Sequence, residues 1–365
     1  MTLNQMISEI KPADQEIVDR ARERTSRLVM PRRALGELHL IGERICGIQR
    51  TLEPSVKNKA VLVMAADHGV AANSVSAYPQ EVTGEMVRTF VLGGAGINVL
   101  ARQAGARVLV VDMGVIPEVS DLPVEEAVLA AQSQVENALL IRKIAKGTSD
   151  FTLGPAMTRE QAEQSLVTGY EVASTLFEEG VELLGAGDMG IGNTSSSSAI
   201  GAAVTGHPVE RITGRGTGVD DEGFARKCRA IQKGLDINRP DPKDALDVLG
   251  KVGGFEIGGI AGAVLAAARF KRPVVIDGLI STAGALLAYV MCPTVADYMF
   301  AGHRSVEQGH QLMLEHMGLR PILDLGMRLG EGTGAALAMH VIEAGVRVFR
   351  EVITFEEAGV TEEAQ

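Results

Sequence analysis

Along residues 13–29 and 34–52, apolar side chains recur every three or four positions, the spacing that gathers them on one face of a helix. Met30-Pro31 separates the two predicted helices, because proline removes a backbone donor and blocks the turn before it. From Lys59 the period changes. Residues 59–66 (KAVLVMAA) form a short unbroken apolar run, the mark of a strand covered on both faces. Residues 107–112 (RVLVVD), 181–184 and 273–277 (PVVID) predict three more strands. Helical spacing fills the intervals at 80–104, 158–179, 195–205, 223–236 and 258–269. Strands alternating with helices predict an α/β fold: a mostly parallel, Rossmann-like sheet with helices on both faces.

Residues 333–350 predict a further strong helix. The reading gives a small helical domain built from both termini, 1–55 and 334–365, around an α/β domain at 56–333. The run from Gly278 to Ala296 carries no charged residue until its flanks, but its Gly, Ser, Thr and Pro content predicts a buried helix, not a membrane span. No repeat of fixed period and no long linker interrupts the chain.

Composition narrows the function. A net charge of −11 argues against a nucleic-acid binder, which needs a basic face. Cys46, Cys228 and Cys292 lie far apart, so neither a disulfide framework nor a zinc knuckle is expected, and a reducing cytoplasm fits. The first residues lack the apolar segment of a signal peptide. Glycine is abundant, 42 of 365, against a usual share of about 7%. That points to tight turns and to backbone brought close to ligands.

Ligands of open parallel sheets bind beyond the carboxyl ends of the strands, so the turns after each apolar run carry the candidate chemistry. After the first strand come Asp67, His68 and Gly69, which read either as metal ligands, as an acid/base pair, or as a cap for the next element. Gly185 to Thr194 (GAGDMGIGNT) formally matches G-x-G-x-x-G. It offers free N–H groups to an anion, forms a purely structural turn, or marks a dinucleotide site. The last reading is weakened by the lack of a clear strand end carrying an acid about 20 residues on. Gly214 to Asp221, followed by Arg226 and Lys227, suits a phosphate monoester or is a solvated loop. In Lys251 to Gly259 the glycines serve either a ligand or close helix packing. Glu331, between Gly330 and Gly332, is expected on an exposed tight turn. It reads as a catalytic base or as a charge complementing the dipole of the next helix.

Taken together, AADHGV (65–70), SAYPQEVT (76–83), GGAGINVLARQAGA (93–106), LGPAMT (153–158), GDMGIGNTS (187–195), DVLGKVGGFEIGG (247–259), PVVIDG (273–278) and RLGEGTGAALAM (328–339) resemble the nicotinate-nucleotide:dimethylbenzimidazole phosphoribosyltransferases, enzymes of cobalamin lower-ligand synthesis. The likeness runs from about residue 5 to 350. It implies a homodimer that uses nicotinate mononucleotide and a benzimidazole-type base, with no metal or other cofactor. It implies Glu331 as catalytic base, a phosphate held near Gly190 and by Lys227, and a base pocket around Tyr78, Met86 and Met189. Asp188, Asp67, His303 and Gly330 join the expected substrate-binding set. Asp188 stands where some members have Glu, and Tyr78 and Met86 where some have Ser and Gln, which implies a less polar base pocket. Two other readings stand beside this one: an NAD-linked oxidoreductase built on Gly185–Gly190, and a non-catalytic nucleotide-binding protein of the same fold.

Overall fold

The computed structural model describes residues 2–119, 122 and 137–361. Seven strands form one sheet: β1 (Lys59–Ala66), β2 (Ala106–Gly114), β3 (Asn137–Ile141), β4 (Leu183–Met189), β5 (Val274–Ile276), β6 (Met299–His303) and β7 (Pro321–Leu323). Their order is β3-β2-β1-β4-β5-β6-β7, and every neighbouring pair is parallel. The chain runs outward from β1 to β3, returns beside β1 as β4, and runs outward again to β7. This reversal opens a crevice beyond the carboxyl ends of β1 and β4.

All eight residues of β1 are buried, because helices cover both faces. Alternation along the strand assigns the faces. Met64 lies against Gly259 of the helix Phe255–Arg269. Val61 points the other way, towards Gly185 of β4 and Gly332, at the start of the helix Thr333–Glu351. Phe255–Arg269 packs closely on the helix Arg159–Glu178: a Cβ on Gly169, Gly258 or Gly262 would overlap the facing helix. The Gly258-Gly259 pair therefore serves packing.

The helix Thr333–Glu351 also meets Glu37–Gln49 near the N-terminus, where a Cβ on Gly42 would stand 2.7 Å from the Gly345 carbonyl oxygen. The two early amphipathic helices appear as Gln15–Ser26 and Glu37–Gln49. The helix expected over 80–104 is instead two, Val82–Val91 and Gly96–Ala104, parted at Gly93, whose φ of +79° no helix residue adopts. The charge-free run forms the buried helix Leu279–Met291, and no helix among the described residues is long and apolar enough to cross a membrane.

The strand expected at 181–184 is β4, and its bounds differ from the expectation. It begins at Leu183 and continues through Met189, so Gly185 and Gly187 lie in the sheet and not in a turn. The helix Thr333–Glu351 and the Glu331 turn lie directly against them: Ala335 and Met339 touch Gly185, and a Cβ on Gly187 would overlap the Glu331 carbonyl.

Candidate active site

Beyond the ends of β4, β5 and β6 lies a cavity of about 680 Å3, within the usual range for small-molecule sites. Its apolar lining comes from Tyr78, Val82, Met86, Met189, Ile191 and Leu329. Its polar lining comes from Asp188, Asn193, Thr194, Thr217, Arg328 and Glu331. The cavity thus offers contacts both to an apolar ring and to a polar, anionic group.

Glu331 is held by an unusual turn. Gly330, Glu331 and Gly332 have φ of +88°, +63° and +89°. For Glu331 this left-handed conformation is unfavourable by roughly 1–2 kcal/mol, so the surroundings must impose it. The Thr333 amide and hydroxyl both donate to the Gly330 carbonyl, at 3.0 and 2.8 Å. The result departs from the exposed turn expected above: Glu331 is only 6% exposed, because its side chain folds into the cavity wall. It precedes the helix Thr333–Glu351, yet its Oε2 accepts the Ile97 N–H at 3.2 Å, at the N-terminus of a different helix, Gly96–Ala104. Burial raises its pKa, the Ile97 N–H opposes the rise, and the Asp277 charge adds to it. A carboxylate so placed is a better proton acceptor than a solvated one.

Asp188, at the end of β4, accepts from the Asn193 side chain at 2.9 Å and faces Gly330. Burial first, then the nearby Asp277 and Glu256, hold its pKa well above the ordinary carboxyl range. Met189 and Gly190 follow on the wall, and the Gly190–Gly192 turn leads into the helix Asn193–Thr205, whose first residues face the cavity.

Lys227 does not line the cavity. It is fully buried behind Thr194 and Gly216, where its Nζ donates to the Thr194 hydroxyl at 2.7 Å and to the Gly214 carbonyl at 3.3 Å. A Cβ on Gly216 would sit 3.0 Å from that nitrogen, so the glycine lets the cation lie just beneath the loop. Burial lowers the Lys227 pKa to about 8, against the opposing charge of Glu307. Arg328 donates to the Gly216 carbonyl at 3.1 Å and reaches the cavity from the other side of the loop.

His303 lines the cavity, 3.5 Å from Asp277 and with its ring 5.8 Å from that of His310. Burial drives the His310 pKa down to about 3, so that ring is neutral. Tyr78 stands at the rim, 56% exposed, and Met86 lies deeper. Asp67 stands apart from the cavity, because its Oδ2 accepts the Ile116 N–H at 2.7 Å and braces the end of β2. His68 likewise turns inward: Nε2 pairs with Glu256 at 2.6 Å and Nδ1 with Ser196 at 3.0 Å, all buried beneath the Gly190–Gly192 turn. A Cβ on Gly254 would overlap this His68 ring, and one on Gly253 would overlap Leu249, which accounts for the pair.

Three contributors escaped the sequence reading of candidate residues: the Ile97 amide, Glu307 and the role of Arg328. Arg328 was signalled by its place in the RLGEGTG segment, whereas Glu307 follows a strand too short to be recognised. A dinucleotide site is not favoured, since residues 206–210 hold a loop and the start of the short helix Val209–Ile212, not a strand end.

A family model described as phosphoribosyltransferase matches residues 10–360. The nicotinate-nucleotide–dimethylbenzimidazole phosphoribosyltransferase of Geobacter sulfurreducens is 51% identical over 360 residues, covering 99% of this chain and 98% of that protein. The protein of the same name from Roseiflexus is 50% identical over 359 residues, covering 98% of each. The crystal structure of the Thermus thermophilus enzyme of that name superposes with a TM-score of 0.87 at 45% identity, covering 96% of this chain and all of the other. With this likeness extending over the full sheet and every wall of the cavity, the chain belongs to the nicotinate-nucleotide–dimethylbenzimidazole phosphoribosyltransferase family.

Proposed function

We propose that this chain transfers the 5-phosphoribosyl group of nicotinate mononucleotide to 5,6-dimethylbenzimidazole or a related base. The products are α-ribazole 5′-phosphate and nicotinate, for the lower ligand of cobalamin. The observation that carries the reading is the buried Glu331 carboxylate in the wall of a cavity that also carries apolar side chains and, at Thr194 and Gly216, a loop backed by the Lys227 cation.

The donor carries a pyridinium nitrogen on C1′ of ribose 5-phosphate. As that bond breaks, the nitrogen takes the electron pair and leaves neutral, so its departure needs no proton. The attacking benzimidazole nitrogen supplies its neutral lone pair to C1′, the ring becomes positive, and its other N–H becomes acidic. Glu331 accepts that proton and stabilises the growing charge. The apolar lining of Met86, Met189 and Leu329 holds the ring, and the polar lining holds the ribose phosphate, so the two meet at C1′. Attack opposite the departing nicotinate inverts the β-nucleotide to the α product. In this reading Lys227 contributes its charge to the phosphate through the glycine loop, and Asp188 and His303, which line the same cavity, bind the ribose hydroxyls.

The same reading includes a cytoplasmic homodimer with a small helical domain drawn from 1–55 and 334–365. Three buried, free cysteines support a reducing compartment.

The test is incubation with nicotinate mononucleotide and a panel of benzimidazoles, with products followed by mass spectrometry. Wild-type protein is expected to release nicotinate and form the α-nucleotide. Glu331→Gln is expected to keep the fold and lose about 10²–10⁴-fold in kcat. Binding of nicotinate mononucleotide without any nicotinate release would instead identify a non-catalytic member of the family.

A further inference from the structure

We infer that Asp277 is the positioning residue for Glu331: its carboxylate grips the backbone on the far side of the Gly330–Gly332 turn and so keeps the base aimed into the cavity. The inference rests on the catalytic assignment of Glu331 above.

The geometry is specific. Asp277 follows β5 and is fully buried. Its Oδ2 accepts the Gly332 N–H at 3.0 Å, and its Oδ1 accepts the Gly334 and Ala335 N–H groups at 2.7 and 3.1 Å. These are orphan donors at the start of the 19-residue helix Thr333–Glu351, whose own N-cap is a glycine and supplies no side chain. Asp277 therefore caps that helix from a neighbouring strand. One of the three bonds falls on Gly332, immediately after Glu331.

The turn needs such a hold. Three successive left-handed residues, one with a full side chain, persist only where the surroundings over-determine them. Gly187 leaves room below for the turn, the Thr333 bonds close it, and Asp277 ties its last residue, through Oδ2, to the helix start that Oδ1 holds. Asp277 lies behind the wall formed by Gly278 and His303, so it acts on substrate through Glu331.

Asp277 also acts through its charge, which opposes ionisation of Glu331. The groups facing Glu331 are Asp188 from β4, Asp277 from the end of β5 with His303 of β6 beside it, and the Ile97 N–H from the helix Gly96–Ala104. Arg328, on the same loop, is directed to Gly216.

The experiment compares full-length wild type, Asp277→Asn and Asp277→Ala for kcat, for KM towards nicotinate mononucleotide, and for the pH dependence of kcat. Asn keeps one acceptor oxygen for the helix start but sets an NH2 group against the Gly332 N–H. Asp277→Asn is expected to lose about 10- to 100-fold in kcat, the scale of a misplaced catalytic group, with the nucleotide KM within about twofold. Because the repelling charge is gone, the acid limb of its pH profile is expected to move to lower pH, which loss of a helix cap alone would not cause. A wild-type kcat and an unmoved acid limb in Asp277→Asn, with only reduced thermal stability, would overturn the inference. If Asp277→Ala fails to fold, Asp277→Asn decides. Wild type that turns over while Glu331→Gln does not, together with an unaffected Asp277→Asn, refutes the positioning role alone. Wild type that forms no product refutes the functional reading beneath it.

Discussion

Lys227, the proposed phosphate-binding cation, is fully buried. Its ammonium lies under Gly216 with Thr194 and Gly214 as oxygen partners, and burial has brought its pKa to about 8. The sign is fixed by the chemistry: the group is charged below that value and neutral above it. In the free enzyme, KM for nicotinate mononucleotide is therefore expected to rise as pH passes from 7 to 9, by up to about tenfold for each unit beyond the pKa. Lys227→Gln is expected to start with the weaker binding and to lose the pH dependence. A nucleotide KM constant to pH 9.5 in wild type would exclude a charged Lys227 from phosphate binding. The sequence already signalled this residue through a glycine loop followed by a cation. It could not tell that the lysine reaches the site from behind the loop, since depth is a property of the packed structure. Asp67 is the converse case. Its place after the first apolar run suggested a ligand contact, whereas its carboxylate accepts the Ile116 N–H just past the end of β2.

At the scale of elements, the long apolar runs were legible because burial on both faces leaves an unbroken hydrophobic stretch, and β1 falls on the residues its pattern predicts. Most of the shorter strands were not. β7 has three residues and β3 and β6 five each, so their extended form depends on the partners that pair with them, whereas the three-residue β5 falls within the predicted 273–277. In β4 the pattern ended early for another reason: Gly185 and Gly187 look like turn residues, but they are small because a helix and the Glu331 turn press on the sheet there. The same logic governs the contact between Glu37–Gln49 and Thr333–Glu351. A Cβ on Gly345 would stand 2.8 Å from the Leu38 carbonyl oxygen, so the helices would have to move apart. Gly345→Ala is expected to lower stability by about 1–3 kcal/mol in denaturant unfolding. The contact lies some three turns from Glu331, and kcat of the folded fraction is expected to stay within about twofold of wild type. An unchanged unfolding midpoint would show that the helices separate freely.

The whole molecule concentrates acidic groups beside the ends of β4 and β5. Asp188, Glu256, Asp277 and Glu331 come from separate segments, and each is buried. The α/β architecture and the crevice were legible in the order of strands and helices, but this convergence arises only once β4 inserts beside β1 and β5 beside β4. Such a cluster suits a reaction that brings a pyridinium ion in and creates a positive ring, and it burdens the empty protein. An acid whose folded pKa lies above its unfolded value contributes stability that is present below the unfolded pKa and is lost as pH rises through the folded one. Asp188 is in that position, with burial as the main cause. At pH 7, Asp188→Asn is therefore expected to raise the melting temperature of the ligand-free protein while lowering turnover, a trade of function for stability. A lower melting temperature at pH 7 would show that the hydrogen bond from Asn193 to Asp188 outweighs the cost of burying the carboxyl group.

The Ile97 amide has a consequence that reaches past the moment of bond formation. Once Glu331 has taken the ring proton, it is neutral and its link to the start of the helix Gly96–Ala104 weakens. Regaining that link favours expelling the proton to water, so the amide that tempers the carboxylate beforehand also resets it. Without that N–H, burial and the Asp277 charge would go unopposed, and a smaller share of the carboxyl would stand ionised at the start of each turnover.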